Sequence, residues 1–174
     1  VALLDLCLSW ARARSGHVAA LTVDHGLRPG SDAEAAQVAA LARRLGADHR
    51  TLTWCGEKPE TGIQEAARNA RYDLLGDACR EAGILHLITA HHRDDQIETV
   101  LHHLLRGTGL RGLGGMHVRE GRRVRPLIDW PRSRLRDYAL RHGLSWRDDA
   151  TNLDRTFTRN RLRHDVLPLL EEVV

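Results

Sequence analysis

Lysine is almost absent from this 174-residue chain. Lys58 stands alone among 26 Lys and Arg residues, so 25 of the cations are arginine. Arginine meets phosphate with a planar bidentate fork, so a basic surface built this way suits phosphate recognition more than diffuse charge. Aromatic residues of two kinds are scarce, with one Phe and two Tyr. That disfavours an aromatic stacking platform for single-stranded RNA and leaves recognition to shape and phosphate contacts. Cysteine is limited to Cys7, Cys55 and Cys79, an odd number with no C-x-x-C pair. This argues against a disulfide framework and against a zinc or iron–sulfur site, and reduced thiols point to the cytoplasm. No apolar run approaches the roughly 20 residues of a membrane span. The apolar start lacks a basic n-region and a cleavage site, so it does not read as a signal peptide.

The charge that is present is unevenly placed. Residues 1–100 carry 11 basic and 14 acidic side chains, whereas residues 101–174 carry 15 and 9, so the two parts stand at −3 and +6. A chain of this length holds one domain with a sizeable core and a small appendage.

Periodicity divides the chain into alternating elements. Val1 to Trp10 reads as a helix, His17 to Val23 as a strand, and Ser31 to Leu45 as a helix with Ser31 and Glu34 as a capping box and Gly46 as its stop. Asp48 to Trp54 is the next strand, followed by a helix from Gly62 to about Ala82. Ile84 to Thr89 has the length and β-branching of a buried strand. It leads into a helix whose Ile97, Val100, Leu101, Leu104 and Leu105 have the spacing of a buried face. Such alternation predicts an α/β fold, a parallel sheet with helices on both faces. In that architecture ligands bind beyond the carboxyl ends of the strands.

Between the last strand and helix stand five polar residues, His91, His92, Arg93, Asp94 and Asp95. Asp94 or Asp95 can cap the helix, and Asp95 and Glu98, three apart, share one helix face that suits an ammonium group or Mg²⁺. After Gly107 the character changes. Residues 107–115 are Gly-rich and read as a mobile connection able to move over a site. Val124 to Ile128 reads as an edge strand, and Pro131 as the N1 residue of a helix to about His142 with Leu135, Tyr138 and Ala139 inward. Arg159 and Arg163, four apart, offer a two-pronged phosphate contact, with Asp148 or Asp149 able to position them.

The string His-His-x-Asp-Asp-Gln-x-Glu-Thr from His91 to Thr99 resembles the AHHxDDQxET motif of the tRNA(Ile)-lysidine synthetases, within the PP-loop (N-type) ATP pyrophosphatase superfamily. Three more blocks follow the same family in order. These are Asp24-His25-Gly26-Leu27-Arg28, the Gly62 to Tyr72 stretch similar to GIQxxARxxRY, and the segment from Asp149 through Asn152 and Asp154 to Arg159, Asn160 and Arg163. The family's SGGxDS loop and the strand before it are missing, and Val1 falls where that loop should have ended. The resemblance therefore implies a Rossmann-like core at residues 1–118 lacking its first strand and PP-loop, a tRNA-contacting Arg-rich extension at 119–174, and a chain inactive without that loop.

The implied reaction adenylates the wobble cytidine of a CAU-anticodon tRNA(Ile) with ATP, releasing pyrophosphate; free L-lysine then displaces AMP. Asp24, His25, Arg68, Arg71, His91 and His92 would bind ATP, with Arg71, Asp95 and Glu98 catalytic. Asp95 and Glu98 would hold the lysine, Asp95 would also meet Mg²⁺, and Arg106, Arg159, Asn160 and Arg163 would contact tRNA. The expected setting is cytoplasmic and off the membrane, with a homodimer left open. Two other readings share the pattern: a PP-loop tRNA thiolase, disfavoured by the missing C-x-x-C, and an inactive RNA-binding remnant. A metalloenzyme on His91, His92, Asp94 and Asp95 ranks below both, because adjacent ligands on one turn rarely reach one metal.

Overall fold

A computed structural model describes residues 1–146 and 150–173. Asp148 and Asp149, expected to position arginines, lie outside the described residues. The chain forms two compact units, one of Leu3–Leu87 and the other of Ile88–Val174 with Val1–Ala2.

In the first unit the alternation of β1 (Ala19–Asp24) decides the packing. β1 runs parallel to β2 (Asp48–Thr53), with Ala19 opposite Asp48 and Asp24 opposite Thr53. Successive strand side chains point to opposite faces. Val18 and Ala20 join Leu4 and Leu8 of α1 (Ala2–Arg12) and Ala42 of α2 (Ser31–Arg44). Leu21 and Val23 join Leu52 of β2 and Leu74, Leu75 and Ala78 of α3 (Ile63–Glu81). The parallel pair is thus covered by helices on both faces, as the alternation predicts. The start of α2 differs from expectation. Gly30, at φ 84°, is the cap, with no side-chain cap hydrogen bond; Glu34 pairs instead with Arg28 at 2.6 Å.

The second unit departs further from its sequence pattern. The expected strand Ile84–Thr89, whose residues are divided between the two units, contracts to β3 (Leu87–Ile88), and Leu85 is 67% exposed. Its neighbours are a short hairpin, giving the order β3-β5-β4 with β4 (Arg119–Glu120) antiparallel to β5 (Arg123–Val124). The expected edge strand Val124–Ile128 ends at its first residue, because backbone turns from Ile128 to Arg125 and from Trp130 to Leu127 replace the ladder.

Helix α4 (Arg93–Leu105) is rotated relative to its apolar stripe. Ile97, Leu104 and Leu105 are 40%, 57% and 69% exposed, while Glu98 and Thr99 are buried. The Thr99 hydroxyl donates to the Asp95 carbonyl at 2.8 Å, and Glu98 is held by an arginine described below.

The Gly-rich connection is tied down. Leu110–Leu113 forms the short helix α5, and Gln96 makes a two-way clasp on Met116, donating to its carbonyl at 3.0 Å and accepting its N–H at 2.7 Å. Gly115 adjoins this clasp at φ +63°, where a Cβ would meet the Gln96 side chain at 2.7 Å. Beyond it, α6 (Arg132–Arg141) follows Pro131, which is its cap rather than its first residue. Thr158–Arg161 (α7), a π-turn at Leu162–Val166 and Leu167–Glu171 (α8) complete the unit.

Candidate active-site residues

The first unit gathers Asp24, His25 and Arg71. Asp24 ends β1 and accepts the Gly26 N–H at 2.9 Å, an Asx-type turn that positions the loop after the strand. That hydrogen bond, and a second from Ser31, hold the Asp24 carboxyl below its ordinary pKa. Next to it, the His25 ring meets Arg71 of α3: the guanidinium Nε and Nη2 lie 3.3 and 3.1 Å from His25 Nε2. Arginine only donates, so Nε2 must offer its lone pair and the ring proton must sit on Nδ1. Burial first, and then the Arg71 charge, lower the His25 pKa and favour this neutral ring.

The His25 Nδ1 is buried and has no hydrogen-bond partner among the described residues. It is therefore a sheltered N–H donor at the end of β1, suited to an acceptor atom of a ligand. Trp54 stands edge-on to His25 at 5.9 Å, with the Lys58 ammonium 4.1 Å from the centre of the Trp54 ring. Arg68 does not join this group; its guanidinium lies 5.3 Å over the Tyr72 ring.

The second unit gathers Asp95, Glu98 and Arg163. Asp95 Oδ2 accepts the backbone N–H of His92 at 3.0 Å and lies 3.4 Å from its ring Nε2. This closes the first turn of α4 from the N3 position. His91 Nδ1 is 3.0 Å from the Thr89 hydroxyl. Asp95 and Glu98 do share a face, and a cation does occupy it. That cation is Arg163, with Nε 2.6 Å from Glu98 Oε1 and Nη2 4.0 Å from Asp95 Oδ1.

This pairing changes two expectations. Glu98 is 1% exposed, so its carboxylate is not presented to solvent for a lysine ammonium. Arg163, expected to pair with Arg159 as a two-pronged phosphate contact, is engaged with that carboxylate. Asn160, expected to contact tRNA, is buried, and its Nδ2 donates to the Asp154 carbonyl at 2.8 Å. Arg106 and Arg159 remain exposed, and both charges help lower the pKa of His102, after its burial.

Other residues matter that the sequence did not single out. Arg125 is 2% exposed, donating to the His117 carbonyl at 2.7 Å and to Glu120 at 2.9 Å, which fastens the β4–β5 hairpin. Gln96 clasps Met116, and its place inside the His91–Thr99 motif was the available signal. Among the described residues, no group of three or more His, Cys, Asp or Glu side chains could hold a metal ion. Among the described residues Asp95 therefore belongs to no such group of three. Among the same residues, no helix is long and apolar enough to cross a membrane.

The chain is an α/β protein with a parallel strand pair covered by helices. The U34-tRNA thiolase NcsA from Methanococcus maripaludis, solved with its [4Fe-4S] cluster, has the same fold: TM-score 0.76 over 98% of this chain and 63% of that one, at 14% identity. The model of the ATP-binding PP-loop domain matches residues 1–170, and the chain belongs to that family. Its relatives include proteins described as tRNA(Ile)-lysidine synthase. One from Bradyrhizobium sp. (strain BTAi1 / ATCC BAA-1182) is 51% identical over 169 residues, covering 94% of this chain and 47% of the relative. Another, from Rhodopseudomonas palustris, is 48% identical over 177 residues, covering 98% and 51%. The chain spans about half the length of the curated relatives it matches.

Proposed function

We propose that this chain is the catalytic part of a cytoplasmic tRNA(Ile)-lysidine synthase, a carbon–nitrogen ligase. The observation that carries the reading is the 51% identity to a protein of that description, spread over 94% of the chain. The thiolase alternative has weaker support, because the likeness to NcsA is one of fold at 14% identity. Residues 1–118 would be the nucleotide-binding core and 119–174 the tRNA-contacting extension.

The substrates are ATP, free L-lysine and tRNA(Ile) with a CAU anticodon. In the first step O2 of the wobble cytidine attacks the α-phosphorus of ATP, and the bond to the pyrophosphate leaving group breaks. In the second the lysine amine attacks C2, a proton leaves the nitrogen, and AMP departs with the O2 oxygen. Adenylation is needed because O2 leaves poorly until it is esterified to phosphate. Arg71 is a fixed cation suited to charge that grows on the α-phosphate as pyrophosphate leaves. Its partner His25 supplies the sheltered Nδ1–H to the nucleotide, and Asp24 shapes that turn. Arg68, His91 and His92 are further candidates for ATP contact, as the resemblance implies.

For lysine, the oxygen best placed is Asp95 Oδ1, at the edge of the Arg163 contact, with Glu98 setting Arg163 in place. Mg²⁺ is bound by few protein oxygens and mainly by phosphates and water. Asp95 fits the role of a single protein ligand for an ion that arrives with ATP, where it would neutralise phosphate charge. Arg106 and Arg159 contact tRNA.

The test is ATP-dependent incorporation of labelled lysine into a tRNA(Ile) transcript carrying C at the wobble position, using the full protein that carries this chain. Incorporation that fails with Arg71→Ala and Asp95→Asn is the expected result. Binding of the tRNA with no incorporation by the unmodified protein would overturn the enzyme and favour an RNA-binding module.

A further inference from the structure

The positive charge of the second unit is not where its motif lies. Residues 119–141 carry eight arginines against three carboxylates, a net +5, whereas residues 142–174 carry five against six. The Arg159–Arg163 segment therefore adds no net positive charge, and the hairpin and α6 supply most of it.

Within that stretch α6 is distinct. Many arginines of this chain are neutralised by a carboxylate: Arg28, Arg50, Arg80, Arg123, Arg125, Arg155 and Arg163 all have one. Arg132, Arg134, Arg136 and Arg141 are exposed and have no ion pair among the described residues. The one acid on the helix, Asp137, meets Arg141 only through its backbone carbonyl, at 3.3 Å.

Two of these guanidiniums lie over indole rings. Arg134 lies 4.7 Å over the ring of Trp130, which is 41% exposed, and Arg136 lies 5.6 Å over Trp146. Stacking on an indole restrains the side chain and leaves its N–H edge available to phosphate. It also makes a flat cationic face on which an unpaired base can rest. The scarcity of Phe and Tyr hid this, because tryptophan provides the platform. Arg132 and Arg136 are four apart and present two forks along one side of the helix, about one turn of roughly 5.4 Å from each other.

We propose that α6, with Trp130 and Trp146, is an RNA-binding surface that contacts the phosphate backbone and an unpaired base of the tRNA substrate, in addition to Arg106 and Arg159. The inference rests on the RNA substrate of the proposed function. Partner and surface are matched by charge and by the two Arg–Trp contacts.

The test is the salt dependence of tRNA binding by filter retention, for the unaltered chain, R132E/R136E and R14E/R43E. The last pair makes the same change in net charge in the first unit. The expected result is an affinity loss of about tenfold or more for R132E/R136E, with the log–log salt slope shallower by about 1 for each phosphate contact removed. R14E/R43E should bind as the unaltered chain does. A further variant, Trp130→Ala, should weaken a transcript with an open loop more than a fully paired hairpin. Equal Kd and slope for R132E/R136E and the unaltered chain would overturn the inference alone. Equal losses in both double variants would also overturn it, since net charge would then be the cause. An unaltered chain that binds no tRNA would overturn the inference and the proposed function together.

Discussion

Among the described residues, eleven of the fifteen buried apolar side chains lie in Leu3–Leu87 and four in Ile88–Val174. The buried polar ones are distributed the opposite way. Glu98, Thr99, Arg125 and Asn160 all belong to the second unit. The first unit is held by alanines and leucines on either side of a parallel pair, and its polar groups sit at the strand end. The second places charged groups in its interior, where each must find a partner or cost several kcal/mol. Burial of apolar surface tolerates imprecise partners; a buried carboxylate needs a particular arginine. The second unit should therefore fail through single polar changes, and the first through loss of volume.

The largest effect should come from Arg163→Ala, which leaves Glu98 buried and unpaired. A loss of about 3–5 kcal/mol is expected in denaturant unfolding. The double variant Glu98→Gln/Arg163→Met should recover much of it, and no recovery would mean that the pair is not what holds this unit. In the first unit Leu75→Ala should cost about 2–4 kcal/mol as a cavity between α3 and the strands, read by the same method. Equal sensitivity of Leu75 and Leu105 to alanine would erase the contrast, because Leu105 is 69% exposed and should change stability by about 0.5 kcal/mol or less.

Gly115→Ala should cost about 1–3 kcal/mol, since it forces a Cβ against Gln96 at positive φ. Increased proteolysis between residues 107 and 116 would report loss of the Gln96–Met116 clasp.

The smallest expected effect is one of pH. The His25 pKa is lowered in the fold, mainly by burial, so the native state binds fewer protons than the unfolded chain below about pH 6.5. Stability should fall as pH drops from about 6.5 to the lower folded value and then level off. His25→Gln should flatten that part of the profile in thermal unfolding. An unchanged profile would mean that His25 is not held neutral by Arg71 and burial.

The two units also differ in how legible they were. α1, β1, α2, β2 and α3 were readable from periodicity, because burial there follows the alternation of side chains. β1 alone feeds both helical layers through Ala20 on one side and Leu21 and Val23 on the other. In the second unit the apolar stripe of α4 misled, since Glu98 rather than Ile97 is drawn inward by a residue 65 positions away. The Gly-rich connection misled for a related reason: its order depends on Gln96, not on its own composition. The expected strands at Ile84–Thr89 and Val124–Ile128 were shortened because a ladder needs a partner that neither segment encodes.

The candidate site shows the same division. Motif order alone singled out residues that the fold places at the end of β1 and the head of α4, and the helical spacing of Asp95 and Glu98 alone predicted a shared face for a cation. Which cation fills that face, which ring nitrogen of His25 keeps its proton, and which arginines stay clear of carboxylates were decided only by tertiary structure. Spacing along a helix is a local property of the backbone. The partner of a buried charge is chosen by electrostatics across the fold, where the cost of leaving it unpaired exceeds any preference written into neighbouring residues.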